Sequence, residues 1–189
     1  MTRYALVGPN GVDRIAEPGT VDPTVPTRDG WTWLEVVDEP MPTPGTLDVI
    51  TPATTVENGK VLRGWTVTQR SATSVDVDLE RDRRMAVFTF GGTEFDFDAT
   101  SRVDIAGAGI LAFAAIVSGA QPGDLRWSDP DEDFAWIARD NSRVPMDAQT
   151  CFAFGQAAAK WRSDLIFKAR ALKDAAPIPS DYAADAHWA

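Results

Sequence analysis

The chain is poor in the residues that most often carry catalysis. Among its 189 residues it has one cysteine, Cys151, and one histidine, His187. A lone cysteine cannot form an internal disulfide, and a histidine that is the third residue from the end would need to fold back to serve a catalytic triad. Neither residue belongs to a zinc-ligand pair. The sequence therefore predicts no enzyme, no catalytic residues, no metal site and no cofactor.

Basic residues are also scarce: 18 lysines and arginines face 28 aspartates and glutamates, which gives a net charge of −10. Binding to phosphate backbones or anionic lipid needs basic surface, so we expect neither nucleic acid nor membrane insertion. Gly8-Pro9-Asn10-Gly11 and Gly91-Gly92 lack the lysine and helix start of a phosphate loop. The amino terminus lacks the pattern of a signal peptide, which predicts synthesis in the cytoplasm.

Charge disappears altogether between Ile105 and Gly123. Within the segment 101–118, apolar residues recur at helical spacing: Val103, Ala106, Ile110, Phe113, Ala114 and Val117. The strongly apolar part ends at Val117, and a bilayer span needs ~20 residues. The pattern therefore predicts a buried core helix rather than a membrane helix.

A tight hairpin precedes that helix. Gly91-Gly92 suits a two-residue primed turn, because both positions can adopt positive φ. The resulting register pairs Phe88 with Phe95 and places Phe90 and Phe97 on the same face. We expect the helix that follows to cover this phenylalanine face.

A second amphipathic helix is predicted from Asp147, a good N-cap, to about Asp174. Its apolar stripe predicts core packing, with an oligomer seam as the alternative: Cys151, Phe154, Ala158, Trp161, Leu165 and Leu172. The aromatic segment 134–137 reads as a strand that ends at Arg139-Asp140-Asn141. Residues 85–175 are therefore predicted to have the order β-β-α-β-α.

This block also carries a family resemblance. Its strings GGTEFDFDATSRVDIAGAGILAFAA and FAWIARDNSRVPMDAQTCFAFGQAA resemble the domain of unknown function 4376, found in tailed-phage tail-fibre and tail-assembly proteins. The resemblance covers roughly residues 85–175. It implies a role in the virion or in virion assembly and supplies no catalytic residues.

The amino-terminal region differs in composition, because seven of the thirteen prolines lie in residues 1–46. Proline cannot donate to a strand ladder, so short edge strands and extended loops are expected there. Asn58-Gly59 predicts a hairpin that pairs Glu57 with Lys60 and Val56 with Val61. The predicted organisation is α+β: a proline-rich β-hairpin region 1–70, a linker 71–84 of β or coil, the β-β-α-β-α domain 85–175 and an extended tail 176–189.

Two acidic patterns invite a functional interpretation. Asp129, Asp131, Asp133 and Asp140 echo calcium-loop spacing, but Phe134 stands where such loops need glycine, which favours a solvated turn. Glu94, Asp96 and Asp98 alternate along a strand and could pair as glycosidase carboxylates. A hydrated sheet face is the simpler explanation for those three.

Seven tryptophans complete the set of candidates. Trp127, Trp136 and Trp161 are expected in the core. Trp31, Trp33 and Trp188 are candidate partner contacts, because tryptophan is enriched among interface anchors. Local packing and a carbohydrate platform remain open for these three.

The predicted function is that of a non-enzymatic structural component of a phage tail tip or tail-fibre region. It would dock to other phage tail proteins, with self-association as a further possibility. A tail-fibre assembly chaperone and a host-glycan-binding module are the alternatives. The expected location is the virion, after synthesis in the host cytoplasm.

Overall fold

The computed structural model describes residues 1–189 and divides the chain into two compact units, Met1–Ser71 and Ala72–Ala189. The first unit contains only strands, and all three α-helices lie in the second. The chain is therefore α+β, with a strand-rich amino-terminal region, as the sequence predicts.

The first unit is a five-stranded sheet in the order β2-β1-β3-β5-β4. β3 and β5 are parallel, and the other neighbours are antiparallel. Its small core consists of Ala5, Val36 and Val61, against which Val7, Val12 and Leu34 pack. The strands are β1 Arg3–Gly8, β2 Gly11–Ile15, β3 Thr32–Asp38, β4 Asp48–Glu57 and β5 Lys60–Gln69.

The β4–β5 hairpin has the predicted register, with Glu57 opposite Lys60 and Val56 opposite Val61. Asn58 and Gly59 have φ values of 50° and 73°, as a primed two-residue turn requires. The expectation of only short edge strands in this region is wrong. Its prolines fall in the connections between strands, and Pro52 lies in β4, an edge strand where a missing donor is tolerated.

The second unit has the predicted β-β-α-β-α order with two additions. A helix precedes the first predicted strand, and an extra strand follows the third predicted strand and pairs with it. Its elements are α1 Ser74–Met85, β6 Val87–Phe90, β7 Thr93–Asp96, α2 Ala99–Val117, β8 Ala135–Ile137, β9 Arg143–Pro145 and α3 Ala148–Asp174. Asp147 caps α3 as predicted, by accepting from the Thr150 amide at 2.7 Å.

Helix α1 occupies the segment expected to be a linker of β or coil, and that expectation is wrong. A capping box begins the helix: Thr73 accepts from the Asp76 amide, and Asp76 accepts from the Thr73 amide at 2.8 Å. Glu80 then pairs with Arg83 and Arg84, one turn onward, at 2.6 Å each. Capping and ion pairs therefore outweigh the β propensity of the valines near its start.

The phenylalanine hairpin forms in the predicted register, with Phe88 opposite Phe95. Its cover, however, is α3 rather than α2. The Phe154 ring lies 5.6 Å from that of Phe88, 5.4 Å from that of Phe90 and 4.8 Å from that of Phe95. These separations and tilts are typical of favourable aromatic pairs.

Helix α2 packs on α3 through its smallest residues. A Cβ added to Gly155 would lie 3.3 Å from the Gly109 Cα, so the two backbones are nearly in contact. Ile105, Gly109 and Ala112 are the buried residues of α2. The prediction of a buried core helix is wrong for most of α2, because Ile105 is its one fully buried large side chain, whereas five others are exposed: Val103, Ile110, Leu111, Phe113 and Val117.

The carboxy-terminal tail folds back onto its own unit, so the predicted extended arm is wrong. Tyr182 and Trp188 are buried, and the Trp188 indole donates to the Tyr182 carbonyl at 2.7 Å. Lys168 Nζ donates to the Trp188 carbonyl, and Arg84 donates to Asp185, each at 2.8 Å. A buried side chain and two hydrogen bonds to distant elements fix the tail in place.

We expect Phe154→Ala to destabilise the second unit by ~3–5 kcal/mol, because it removes a buried ring and leaves a cavity among three phenylalanines. Urea unfolding followed by helical circular dichroism reports on this unit alone, since every α-helix lies in it. Phe167→Ala is the matched control, because Phe167 is on the same helix and 71% exposed. Equal losses in the two variants would contradict the central position of Phe154.

We further expect Glu80→Gln to lower stability at neutral pH. Hydrogen bonding, first from Arg83 and then from Arg84, holds the pKa of Glu80 below its ordinary value of 4.5 despite its burial. A carboxylate with a lowered folded pKa contributes stability that is full above 4.5 and is lost as the pH falls toward the folded pKa. The difference in stability between wild type and variant should therefore shrink below pH 4.5. A pH-independent difference in denaturation midpoint would argue against the ion-pair origin.

Candidate interaction surface

The residues that could support catalysis are held in structural roles. Cys151 is fully buried on α3, and burial raises the pKa of its thiol to about 11, far from the range of a nucleophile. His187 lies in the tail, with Nε2 3.2 Å from Asp181 Oδ1. Cys151 is therefore buried inside the second unit, and His187 lies beside Asp181 in its tail.

The acidic residues of segment 129–140 lie in local turns on either side of β8. Asp129 accepts from the Asp131 amide at 2.8 Å, and Asp133 pairs with Arg126 at 3.0 Å. Asp140 accepts from the Ser142 amide at 2.9 Å, and hydrogen bonding from Ser142 lowers the pKa of Asp140. No group of three or more histidine, cysteine, aspartate or glutamate side chains is arranged to hold a metal ion.

The alternating carboxylates of the hairpin serve separate tasks. Glu94 and Asp96 both face Arg139, at 3.4 Å and 3.7 Å. Asp98 caps α2 by accepting from the Ser101 amide at 2.8 Å, and this hydrogen bond lowers the pKa of Asp98. The Arg139 contacts tie β7 to the turn between β8 and β9.

The three candidate tryptophans differ in availability. Trp31 is half-buried, packs on Gly8 and carries the Arg28 guanidinium 3.7 Å from its ring centre. Trp33 is also half-buried, with Arg14 over its ring at 5.4 Å. Their role as partner contacts stays a prediction. Trp188 is 3% exposed, so its ring is not available to a partner in this fold.

An uncovered apolar feature of the second unit is a face of α2 that the sequence assigns to the core. This α2 outer face consists of Val103, Ala106, Ile110, Phe113, Ala114 and Val117. The four larger side chains on it are 70%, 69%, 52% and 72% exposed, in chain order. Leu111, on the flank of the face, is 65% exposed. Exposed apolar residues gathered in this way mark interaction sites more often than isolated ones do.

Two adjoining grooves run between α2 and α3 beside this face. The larger, of about 670 Å³, is lined at one end by Phe97, Arg102 and Arg162. The smaller, of about 320 Å³, lies against Phe113 and Phe152, whose ring centres are 5.3 Å apart. The close approach of the two helices at Gly109 and Gly155 forms their floor.

Helix α2 is also the one helix that is long and apolar enough to cross a membrane by length and composition. Only 17% of its most apolar window is buried. Core helices and signal sequences meet the same criterion, so this is weak evidence for a bilayer span.

The fold and this surface define an α+β protein with a hairpin, two packed helices and a docked tail in one unit. The family model described as Domain of unknown function (DUF4376) matches residues 68–187, and the chain belongs to this family. The match is wider than the block 85–175 recognised in the sequence, and it includes α1 and the docked tail. Comparison with curated proteins and with solved structures gave no match.

We expect millimolar calcium to leave the melting temperature of the full chain nearly unchanged, because Asp133 is paired with arginine and the other carboxylates of the segment do not converge. A ligand at 100 times its dissociation constant would add ~2.7 kcal/mol to stability, which melting detects easily. Asp131→Asn and a chelator serve as controls. A calcium-dependent rise that the variant loses would contradict the turn interpretation.

Proposed function

We propose that the protein is a non-enzymatic structural component of a phage tail tip or tail-fibre region, and that it acts by docking to other proteins. The observation that carries the docking role is the α2 outer face. Family membership directs the proposal toward phage tails, because the sequence resemblance is to tail-fibre and tail-assembly proteins.

The cost of leaving this face in water supports a docking role. Burying one large aliphatic or aromatic side chain yields ~1.5–3 kcal/mol, and the α2 outer face holds four that are more than half exposed. No charged residue interrupts α2 after Asp104. A partner that covers the face therefore removes substantial apolar surface without stranding a charge.

The face lies on a rigid support. Backbone contact at Gly109 and Gly155 fixes α2 against α3, and Phe154 anchors α3 to the hairpin. A preformed rigid surface loses little conformational freedom when it binds. This favours a lasting structural contact over the adaptable surface that transient clients need.

The amino-terminal unit adds further possible contact surface. Both edge strands of its sheet, β2 and β4, have an unpaired side within the unit. Val49, Val56 and Val67 on the β4–β5 hairpin are 39%, 42% and 46% exposed. Strand edges and exposed valines are the elements through which extended segments of other chains add to a sheet.

The glycan-binding alternative gains no specific support from the tryptophans, since arginines stack on Trp31 and Trp33 and Trp188 is buried. A chaperone could use the same surfaces as the proposed structural component, and the two roles differ in how long the protein stays bound. It requires the protein to leave before the particle is complete.

We expect the chain to be present in purified phage particles at a stoichiometry matching a tail structure. Mass spectrometry of gradient-purified particles and of the infected-cell lysate measures this directly. An abundant host cytoplasmic protein, followed in both samples, controls for carry-over. Presence in the lysate together with absence from the particles would refute the resident role and favour a chaperone.

A further inference from the structure

The exposed residues of α2 form a seam with the spacing of a helix-packing surface. Val103, Ala106, Ile110, Phe113 and Val117 follow one another at intervals of three, four, three and four residues. This is the spacing by which one helix packs along another. The seam is about 21 Å long at 1.5 Å per residue.

The middle of the seam lies on a side of α2 that α3 does not cover. At about 100° per residue, all five of its members lie within about 60° of Ile110 around the helix axis. The buried residues Ile105, Gly109 and Ala112 lie about 100° to 160° away from it. Helix α2 therefore has two apolar sides. Helix α3 covers one of them, and Phe113, at the edge of the second, also contacts Phe152 of α3.

Gly107 beside the seam has no explanation within the chain. It is exposed, it lies in the middle of α2, and a Cβ built on it would meet nothing within 4 Å. Glycine in a helix interior is destabilising relative to alanine. Gly109, by contrast, is explained by its contact with Gly155. An approaching partner is the physical reason left for a small residue at position 107.

We propose that the α2 outer face binds the α2 outer face of a second copy, with the two helices antiparallel about a two-fold axis at Ile110. This deepens the docking role proposed above, since it uses the same face and identifies its occupant. In this arrangement Val103 lies opposite Val117 of the other copy. The small pair Ala106-Gly107 lies opposite Phe113-Ala114.

The pairing is complementary in size, and it places uncharged residues opposite uncharged residues. The large Phe113 ring meets the stretch where alanine and glycine leave room, and this contact occurs twice because of the two-fold symmetry. No charged residue lies between Ile105 and Gly123, so the seam is uncharged from Ala106 to Val117, and only Val103 has charged neighbours in the sequence, Arg102 and Asp104. The grooves beside α2 leave space for the flanking side chains of the second copy.

Sedimentation equilibrium of the full chain from ~1 to ~100 µM, without detergent, measures the association. We expect a dimer for the wild type and at least a tenfold weaker dimer for Ile110→Asp. Ile110 is 69% exposed, so the chain's own core is untouched. Leu79→Asp on α1, where Leu79 is 65% exposed, is the matched control and should dimerise like the wild type.

Gly107→Leu separates association from folding. Because a side chain at this position meets nothing in its own chain, the melting temperature under monomeric conditions should stay the same or rise. The dimer should weaken at least tenfold, since leucine fills the space for Phe113 and Ala114. Unchanged association in this variant would overturn the proposed seam.

Cross-linking tests the direction of the helices. An equimolar mixture of Val103→Cys and Val117→Cys should form a mixed disulfide, while Val103→Cys alone should not, because only antiparallel helices bring 103 near 117. The native Cys151 is buried and does not compete. Cross-linking of Val103→Cys with itself would overturn the antiparallel arrangement.

Two further outcomes would overturn the proposal. The first is a wild type that stays monomeric up to ~100 µM. The second is a monomer that binds zwitterionic lipid vesicles through α2, because this result would assign the face to a bilayer. A dimer absent from purified particles would contradict the virion role and leave the seam intact. A chain that is monomeric in solution but present in particles would contradict the seam and support the virion role.

Discussion

Two adjacent residues of α3 hold the second unit together by opposite means. Phe154 fills the space under the hairpin with a large ring that contacts three other phenylalanines and, at 5.5 Å, Trp136. Gly155, one residue on and about 100° further around the helix, removes its side chain so that α2 can approach at backbone distance. One helix thus packs a sheet on its large residues and a helix on its small ones. The exposure of the larger α2 side chains follows, because a helix packed through glycine and alanine must turn its bulky residues elsewhere.

The remaining elements of the unit are joined to α3 by charge and by burial. Lys173, near the end of α3, reaches Asp78 of α1 at 2.7 Å, while Lys168 holds the tail through the Trp188 carbonyl. Arg84 connects α1 to the same tail by donating to Asp185 and to the Ala183 carbonyl, with Trp188 5.3 Å from its guanidinium. Side chains with several partners and partial burial lose less to solvent screening than isolated surface pairs do. The family match, which spans α1 through the tail, coincides with this network.

What the sequence could predict depended on whether the signal was local. The Gly91-Gly92 and Asn58-Gly59 hairpins and the Asp147 cap were predicted with their registers, since turn chemistry and capping act within a few residues. The cover of the hairpin was assigned to the wrong helix, because α2 is apolar on every side after Asp104 and periodicity alone cannot say which side packs. The burial of Trp188 was missed for a similar reason. Its partners are Tyr182 and Arg84, the second more than a hundred residues away in the sequence, and proline-rich composition predicts an extended arm.

The two apolar sides of α2 also explain why composition was a misleading guide to its environment. A helix buried on all sides and a helix shared between two chains both lack charge, and the difference lies in which residues are large. In α2 the residues toward α3 include Gly109 and Ala112, whereas the side that α3 does not cover carries Val103, Ile110 and Val117. If α3 were the only packing partner, selection for solubility would place polar residues on that uncovered side, where nothing in the chain requires apolar ones. The placement of large apolar residues on the side with no intramolecular partner is therefore the feature of this fold that calls for a second molecule.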